Sequence, residues 1–191
     1  MLRTAIIIGS IRPGRKAESV ANWIYDVASK RSDSDYELVD LQSFGLPFTE
    51  EPGQTRPKPA RPPATLAWAE TIDSYDAFVF VTPEYSNGTS AALRNAIGLL
   101  ARPWNNKAAG FVSYGSALGR RAVEQLRMLL GELQVADVGA HVTFSLFNDF
   151  ENFGEFKPAA HFLPEVNEML DQVVAWGSAL RVLRHPTALA S

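Results

Sequence analysis

The chain has 191 residues, with 18 Lys and Arg against 21 Asp and Glu for a net charge of −3, and 46% of it is hydrophobic, which predicts one globular domain over residues 1–191. A mild negative charge with scattered basic residues offers no field for a nucleic-acid backbone. With no cysteine there is no disulfide framework, thiolate zinc site, iron–sulfur cluster or cysteine nucleophile.

The first strand is expected over Thr4–Ile8, where the apolar run Ala5–Ile8 is too short for a signal-peptide core. No stretch approaches the roughly 18 apolar residues of a membrane span, so a soluble, cytoplasmic protein without a membrane partner is expected. A helix follows, with Val20, Trp23, Ile24, Val27 and Ala28 on one face. The second strand is predicted over Tyr36–Leu41, and the six prolines between Pro47 and Pro63 then rule out regular structure and suggest a polyproline-like crossover or a lid. Further elements alternate: helix Thr65–Ser74, strand Ala77–Val81, helix Ser90–Leu100, strand Ala108–Ser113, helix Arg120–Leu133, strand Val138–Phe144 and helix Pro164–Leu183. After the fifth strand comes a phenylalanine at every third position, Phe144, Phe147, Phe150, Phe153 and Phe156, which suits either the domain's core edge or a subunit interface. Five strands alternating with five helices predict an α/β fold, a flavodoxin-like three-layer sandwich with a five-stranded parallel sheet in order 2-1-3-4-5.

In such a sheet ligands bind beyond the carboxyl ends of the strands near the reversal of strand order, so the loops after strands one, three and four carry the chemistry. The first, Gly9 to Lys16, offers turning glycines, a helix N-terminus, and donors from Ser10, Arg12 and Arg15. The dinucleotide fingerprint G-x-G-x-x-G fails at Ile11, and the triphosphate loop fails where Arg15 and Lys16 replace its Lys and its magnesium-binding hydroxyl. What is left is a metal-free monophosphate site or an ordinary glycine turn. The second loop joins Pro83, Glu84, Tyr85, Ser86 and Asn87, which can supply the aromatic wall and amide partners that a flavin ring needs, or form a turn and helix cap. The third, Ser113, Tyr114, Gly115 and Ser116, repeats the small-residue theme.

Together Gly9-Ser10-Ile11-Arg12-Pro13-Gly14-Arg15, Thr82-Pro83-Glu84-Tyr85 with Leu93-Arg94-Asn95-Ala96-Ile97, and Ser113-Tyr114-Gly115-Ser116 resemble the NADPH-dependent FMN reductase family, flavodoxin-like enzymes that include quinone, azo-dye and chromate reductases. The resemblance implies that Ser10, Arg12, Arg15 and Ser19 contact the FMN phosphate, Pro83 to Asn87 the isoalloxazine, and Ser113 to Ser116 its pyrimidine or dimethylbenzene side. It implies NADPH, with NADH possible, as hydride donor in a ping-pong reaction, a small-molecule electron acceptor, and a homodimer or homotetramer. No acid–base side chain is required, and none is assigned as catalytic. The chain departs from the family pattern at Ser86, where Asn is common, at Gly88–Ala92, at Gly98, and at Leu118, where a second glycine is usual.

Arg120 and Arg121 either recognise the extra phosphate of NADPH or are solvated helix cations. His141, His161 and His185 lack paired metal-ligand spacing, and Ser10, Ser113 and Ser116 lack a hydrolase elbow. Asp40, at the end of the second strand, suits a cap or surface charge better than a ribose ligand. Two alternatives remain: a flavin-binding electron carrier, against which the modest charge and the arginines speak, and a reductase with a dedicated metabolite acceptor.

Overall fold

Strand β1 (Leu2–Ile8) alternates its side chains across a sheet covered on both faces, so Ile6 and Ile8 enter one core layer while Ala5 and Ile7 enter the other. The computed structural model describes residues 1–48 and 61–184. The crossover or lid expected between Pro47 and Pro63 lies for the most part outside the described residues, as does His185.

The sheet order is β2-β1-β3-β4-β5, all parallel, as expected, with β2 at Ser34–Asp40, β3 at Ala77–Pro83, β4 at Lys107–Gly115 and β5 at Val135–Ser145. Helices α1 (Ala17–Ala28) and α5 (Phe162–Arg184) bury Val20, Ile24, Val166 and Met169 on one face. Helices α2 (Pro63–Asp73), α3 (Ala91–Gly98) and α4 (Arg120–Glu132) cover the other around Trp68, Trp104, Phe78 and Phe111. Both faces of β3 and β4 are dry, which is why these strands read as unbroken apolar runs.

Three expectations shift. Strand β2 starts at Ser34, whose hydroxyl donates to the Leu2 carbonyl (2.9 Å), and stops at Asp40, whose carboxylate accepts the Gln42 N–H (2.9 Å) and starts the 3-10 turn Leu41–Phe44. Strand β5 is longer than predicted and holds an irregularity: Ala109 and Phe111 of β4 pair with Asp137 and His141. The phenylalanine run divides. Phe144, Phe150 and Phe156 pack with Trp23 and Phe162 at the core edge, and the short antiparallel strands β6 (Phe150–Glu151) and β7 (Glu155–Phe156) carry two of them. Phe147 and Phe153 stay exposed and pack edge to face on each other, with ring centroids 5.8 Å apart.

Candidate functional site

The loop after β1 is drawn against the sheet by its own backbone. The Gly9 N–H donates to the Val81 carbonyl at 2.8 Å, and the Gly9 carbonyl accepts from the Ser90 hydroxyl. Ser90 also caps α3 by accepting the Leu93 N–H at 3.1 Å, so one side chain joins the loops after β1 and β3.

Arg15 does not point into open solvent. Its guanidinium makes a bidentate pair with Asp40, two contacts of 2.6 Å, and donates to the Ser10 carbonyl at 2.8 Å. The Asp40 hydrogen bond holds the Arg15 pKa above its usual value. Burial works against the Asp40 carboxylate, but its bonds to Arg15 and to the Gln42 N–H outweigh that and lower its pKa. Asp40 is therefore a cap, as its sequence context suggested, and also the anchor of the phosphate-like loop.

The loop after β3 is a tight hairpin. Tyr85 and Gly88 exchange both backbone hydrogen bonds (2.9 and 3.0 Å), and the two residues between them, Ser86 (φ 48°) and Asn87 (φ 64°), are left-handed, the mark of a type I′ turn. Asn enters that conformation more easily than Ser, which accounts for the cost of the departure at Ser86. Glu84 receives the Arg121 guanidinium at 3.0 Å and the Arg121 N–H at 3.2 Å, and Arg121 also reaches the Asn87 side chain at 3.0 Å. Arg121 is thus a brace between α4 and the hairpin, whereas the Arg120 side chain is exposed and makes no hydrogen bond or ion pair with the described residues.

Near the end of β4 the Ser113 hydroxyl donates to the Leu118 carbonyl at 2.8 Å, so it is spent on the turn that follows. The Gly115 carbonyl accepts from Leu118 (3.2 Å) and from Leu146 (3.2 Å), which ties in the chain after β5. Leu118 stands at φ 65° and Gly119 at φ 76°. A branched side chain in the left-handed region costs about 1–2 kcal/mol, so Leu118→Gly is expected to gain about 1 kcal/mol after its partial burial is lost. That corresponds to a rise in melting temperature of roughly 2–4 °C, and a fall on thermal denaturation would contradict this account of the turn.

Arg12, Gly14, Arg15, Lys16, Tyr85, Tyr114 and Leu146 enclose a cleft of about 220 Å³. The Arg12 guanidinium lies over the Tyr85 ring, 5.5 Å from its centroid, and the Tyr85 and Ser10 hydroxyls are 3.5 Å apart. Helix α1 begins at this cleft with Lys16 in the capping position and no side-chain cap, which leaves its first amides for an acceptor. The buried Tyr114 hydroxyl lies beside the backbone of Ala17 at the start of α1, with no well-formed hydrogen bond among the described residues. Burial pushes its pKa up, so it remains a donor. Arginine, lysine, helix amides and a buried phenol in one cleft fit a phosphate monoester, so the residues present suit the FMN phosphate.

The expected site residues are not all brought to this cleft. Arg12, Arg15, Tyr85 and Tyr114 line it, the Ser10 hydroxyl stands 3.5 Å from that of Tyr85, and Pro83, Gly115 and Ser116 belong to the strand ends and the turn that follow β3 and β4. Ser19 donates to the Lys16 carbonyl at 2.9 Å and lines a shallow depression that adjoins the cleft and shares Gly14, Arg15 and Lys16 with it. Sequence reasoning missed Lys16 and Leu146. Lys16 was legible from its place in the loop, but Leu146 carried no signal because only the fold brings it near Gly115.

A family model described as NADPH-dependent FMN reductase matches residues 2–149. An NAD(P)H-dependent FMN reductase of Schizosaccharomyces pombe is 32% identical over 172 residues, which is 86% of this chain and 83% of that protein. An NAD(P)H:quinone oxidoreductase of Solanum tuberosum is 30% identical, covering 62% of this chain and 61% of that one. Among solved structures, the flavoenzyme NAD(P)H:(acceptor) oxidoreductase FerB of Paracoccus denitrificans superposes with a TM-score of 0.71 at 17% identity over 94% of this chain and 98% of that one, a likeness of fold.

Proposed function

The chain belongs to the NADPH-dependent FMN reductase family, and from that premise we propose that it is an FMN-dependent oxidoreductase that takes electrons from NADPH, or NADH, and delivers them to a small flavin, quinone, azo or similar acceptor. The observation that carries this is the cationic cleft at the N-terminus of α1 facing the Tyr85 hairpin, with the buried Tyr114 hydroxyl in its wall beside Ala17. Bound FMN supplies the hydride relay between donor and acceptor.

The protein's share is binding and orientation. Ser10, Arg12, the first amides of α1 and Tyr114 hold the phosphate, while Arg15 holds the loop in shape through Asp40. Pro83 to Asn87 face the ring, with Tyr85 as its aromatic wall, and the Glu84–Arg121 brace keeps that hairpin in place. The segment Ser113–Ser116 closes the far side, with the Ser113 hydroxyl spent on the turn that follows β4. No described helix is long and apolar enough to cross a membrane. The reading extends to a single cytoplasmic domain over residues 1–191 that assembles as a homodimer or homotetramer, supported by the exposed Phe147–Phe153 pair. A monomer in light scattering at every concentration would overturn the assembly.

The test of the reaction is an FMN titration followed by anaerobic NADPH. Bleaching of the flavin band at about 450 nm is expected. Binding without bleaching would point instead to an electron carrier, and no binding would remove the flavin reading. Asp40→Ala should weaken FMN binding roughly tenfold, about 1.4 kcal/mol, although Asp40 lies outside the cleft lining, because Arg15 loses its anchor. An unchanged dissociation constant in fluorescence quenching would show that the clamp does not set the loop.

A further inference from the structure

A second cleft, of about 170 Å³, opens between the turn after β2 and helix α3 and shares no lining residue with the cationic cleft. Ile11, Leu41, Leu46 and Phe48 supply apolar walls, Gln42 supplies a side-chain amide, and among the described residues no charged side chain lines it. Ile11 is 47% exposed and Phe48 72%, so apolar surface is held open to solvent here. Asn95 donates to the Pro47 carbonyl at 2.9 Å and keeps the Leu46–Phe48 strip beside α3. An apolar cavity of about 150 Å³ is known to take one benzene molecule. The cleft therefore matches a single six-membered ring and is too small for a flavin or an adenine nucleotide, and its lining asks for a neutral ring with a hydrogen-bonding substituent.

The cleft is wired to the cofactor loop. Leu41 and Gln42 directly follow Asp40, the Gln42 N–H is bonded to the Asp40 carboxylate at 2.9 Å, and the same carboxylate grips Arg15, which holds the Ser10 carbonyl. We propose that this cleft is a second binding site for a neutral, phenol-sized ring, and that its occupancy firms the Asp40–Arg15 clamp and tightens cofactor binding. The linkage rests on the FMN reading, whereas binding of the ring does not.

Phenol, which is inert to hydride transfer, is the probe. In methyl NMR of the FMN-free protein it should shift Ile11, Leu41 and Leu46 saturably, and in FMN titrations it should tighten binding about fivefold, within the usual range of coupling between sites. Ala92→Leu, on the α3 side of the cleft, should abolish both effects while leaving FMN affinity without phenol and reductase activity unchanged. Phe48→Ala, which removes an exposed wall, should weaken both and serves if Ala92→Leu does not fold. Shifts confined to residues around Tyr85, no shifts at all, or shifts that survive Ala92→Leu would each overturn the site. Equal FMN affinity with and without phenol would overturn the linkage. Failure of FMN to bind without phenol would overturn the FMN reading alone and leave the methyl shifts as the test of the cleft.

Discussion

Gly9→Ala is expected to lower FMN affinity on the order of 100-fold and to destabilise the fold by about 3 kcal/mol. A Cβ at this position would stand 2.6 Å from the Val81 carbonyl oxygen and 2.8 Å from Leu93 Cδ2. The carbonyl is backbone in the middle strand and cannot step aside, so the loop itself must lift. Lifting it breaks the Gly9 N–H bond to Val81 and the Ser90 bond to the Gly9 carbonyl, the two contacts that set where Ser10 and Arg12 stand. A displacement of ångström scale at a site of oriented donors is costly. Gly98→Ala is the control: nothing lies within 4 Å of its Cβ at the end of α3, and it should stabilise by about 0.5–1 kcal/mol with FMN affinity unchanged. Equal affinity and equal melting temperature in Gly9→Ala would refute the close approach.

The contribution of Lys107 to stability is expected to rise by about 2 kcal/mol as pH rises from 8 to 10, and Lys107→Met should abolish it. Lys107 is 2% exposed, and its ammonium donates to the Ile72 and Asp73 carbonyls at the C-terminus of α2 (2.7 and 3.1 Å). Burial is the largest influence and Arg184 adds to it, while Asp73 and Asp76 oppose, and the net pKa falls from 10.5 to about 8. Between pH 8 and 10.5 the unfolded chain keeps a proton that the folded chain has released, so ν_U exceeds ν_N and raising the pH favours the fold. Above about pH 10 the sign reverses, because Tyr36, Tyr75 and Tyr114 have raised pKa values in the fold and ionise first when unfolded. Urea denaturation at pH 7.5, 9 and 10 reads the effect. A flat profile in the parent protein, or the same slope in Lys107→Met, would show that the lysine is not the source.

The main outline of the molecule was legible in the residues. Runs such as Phe78–Val81 and the helical spacing of Val20 to Ala28 announced a parallel sheet between helices, since a strand covered on both faces has no polar side and a helix covered on one face has an apolar stripe. Strand boundaries were less legible because they depend on single hydrogen bonds: Ser34 joins β2 by bonding Leu2, and Leu41 leaves it because Asp40 caps Gln42. The phenylalanine run could be seen but not sorted, since nothing local distinguishes Phe147 from Phe150.

The chain's order of apolar runs, its glycine-rich first loop and its Pro83–Asn87 segment determined the sheet, the strand order and the three loops that meet at the cleft. Tertiary structure alone decided how the charges in those loops are used. Arg15 reads as a phosphate ligand from its place in the loop, yet Asp40, 25 residues away, engages its guanidinium. Arg121 reads either as a nucleotide ligand or as a solvated helix cation, and only the fold brings Glu84 and Asn87 against it. Periodicity reports which face of an element meets the core, because that depends on neighbours three or four residues apart. A long side chain bonds to whatever partner the fold delivers, and that is set by distances between loops that no local pattern encodes.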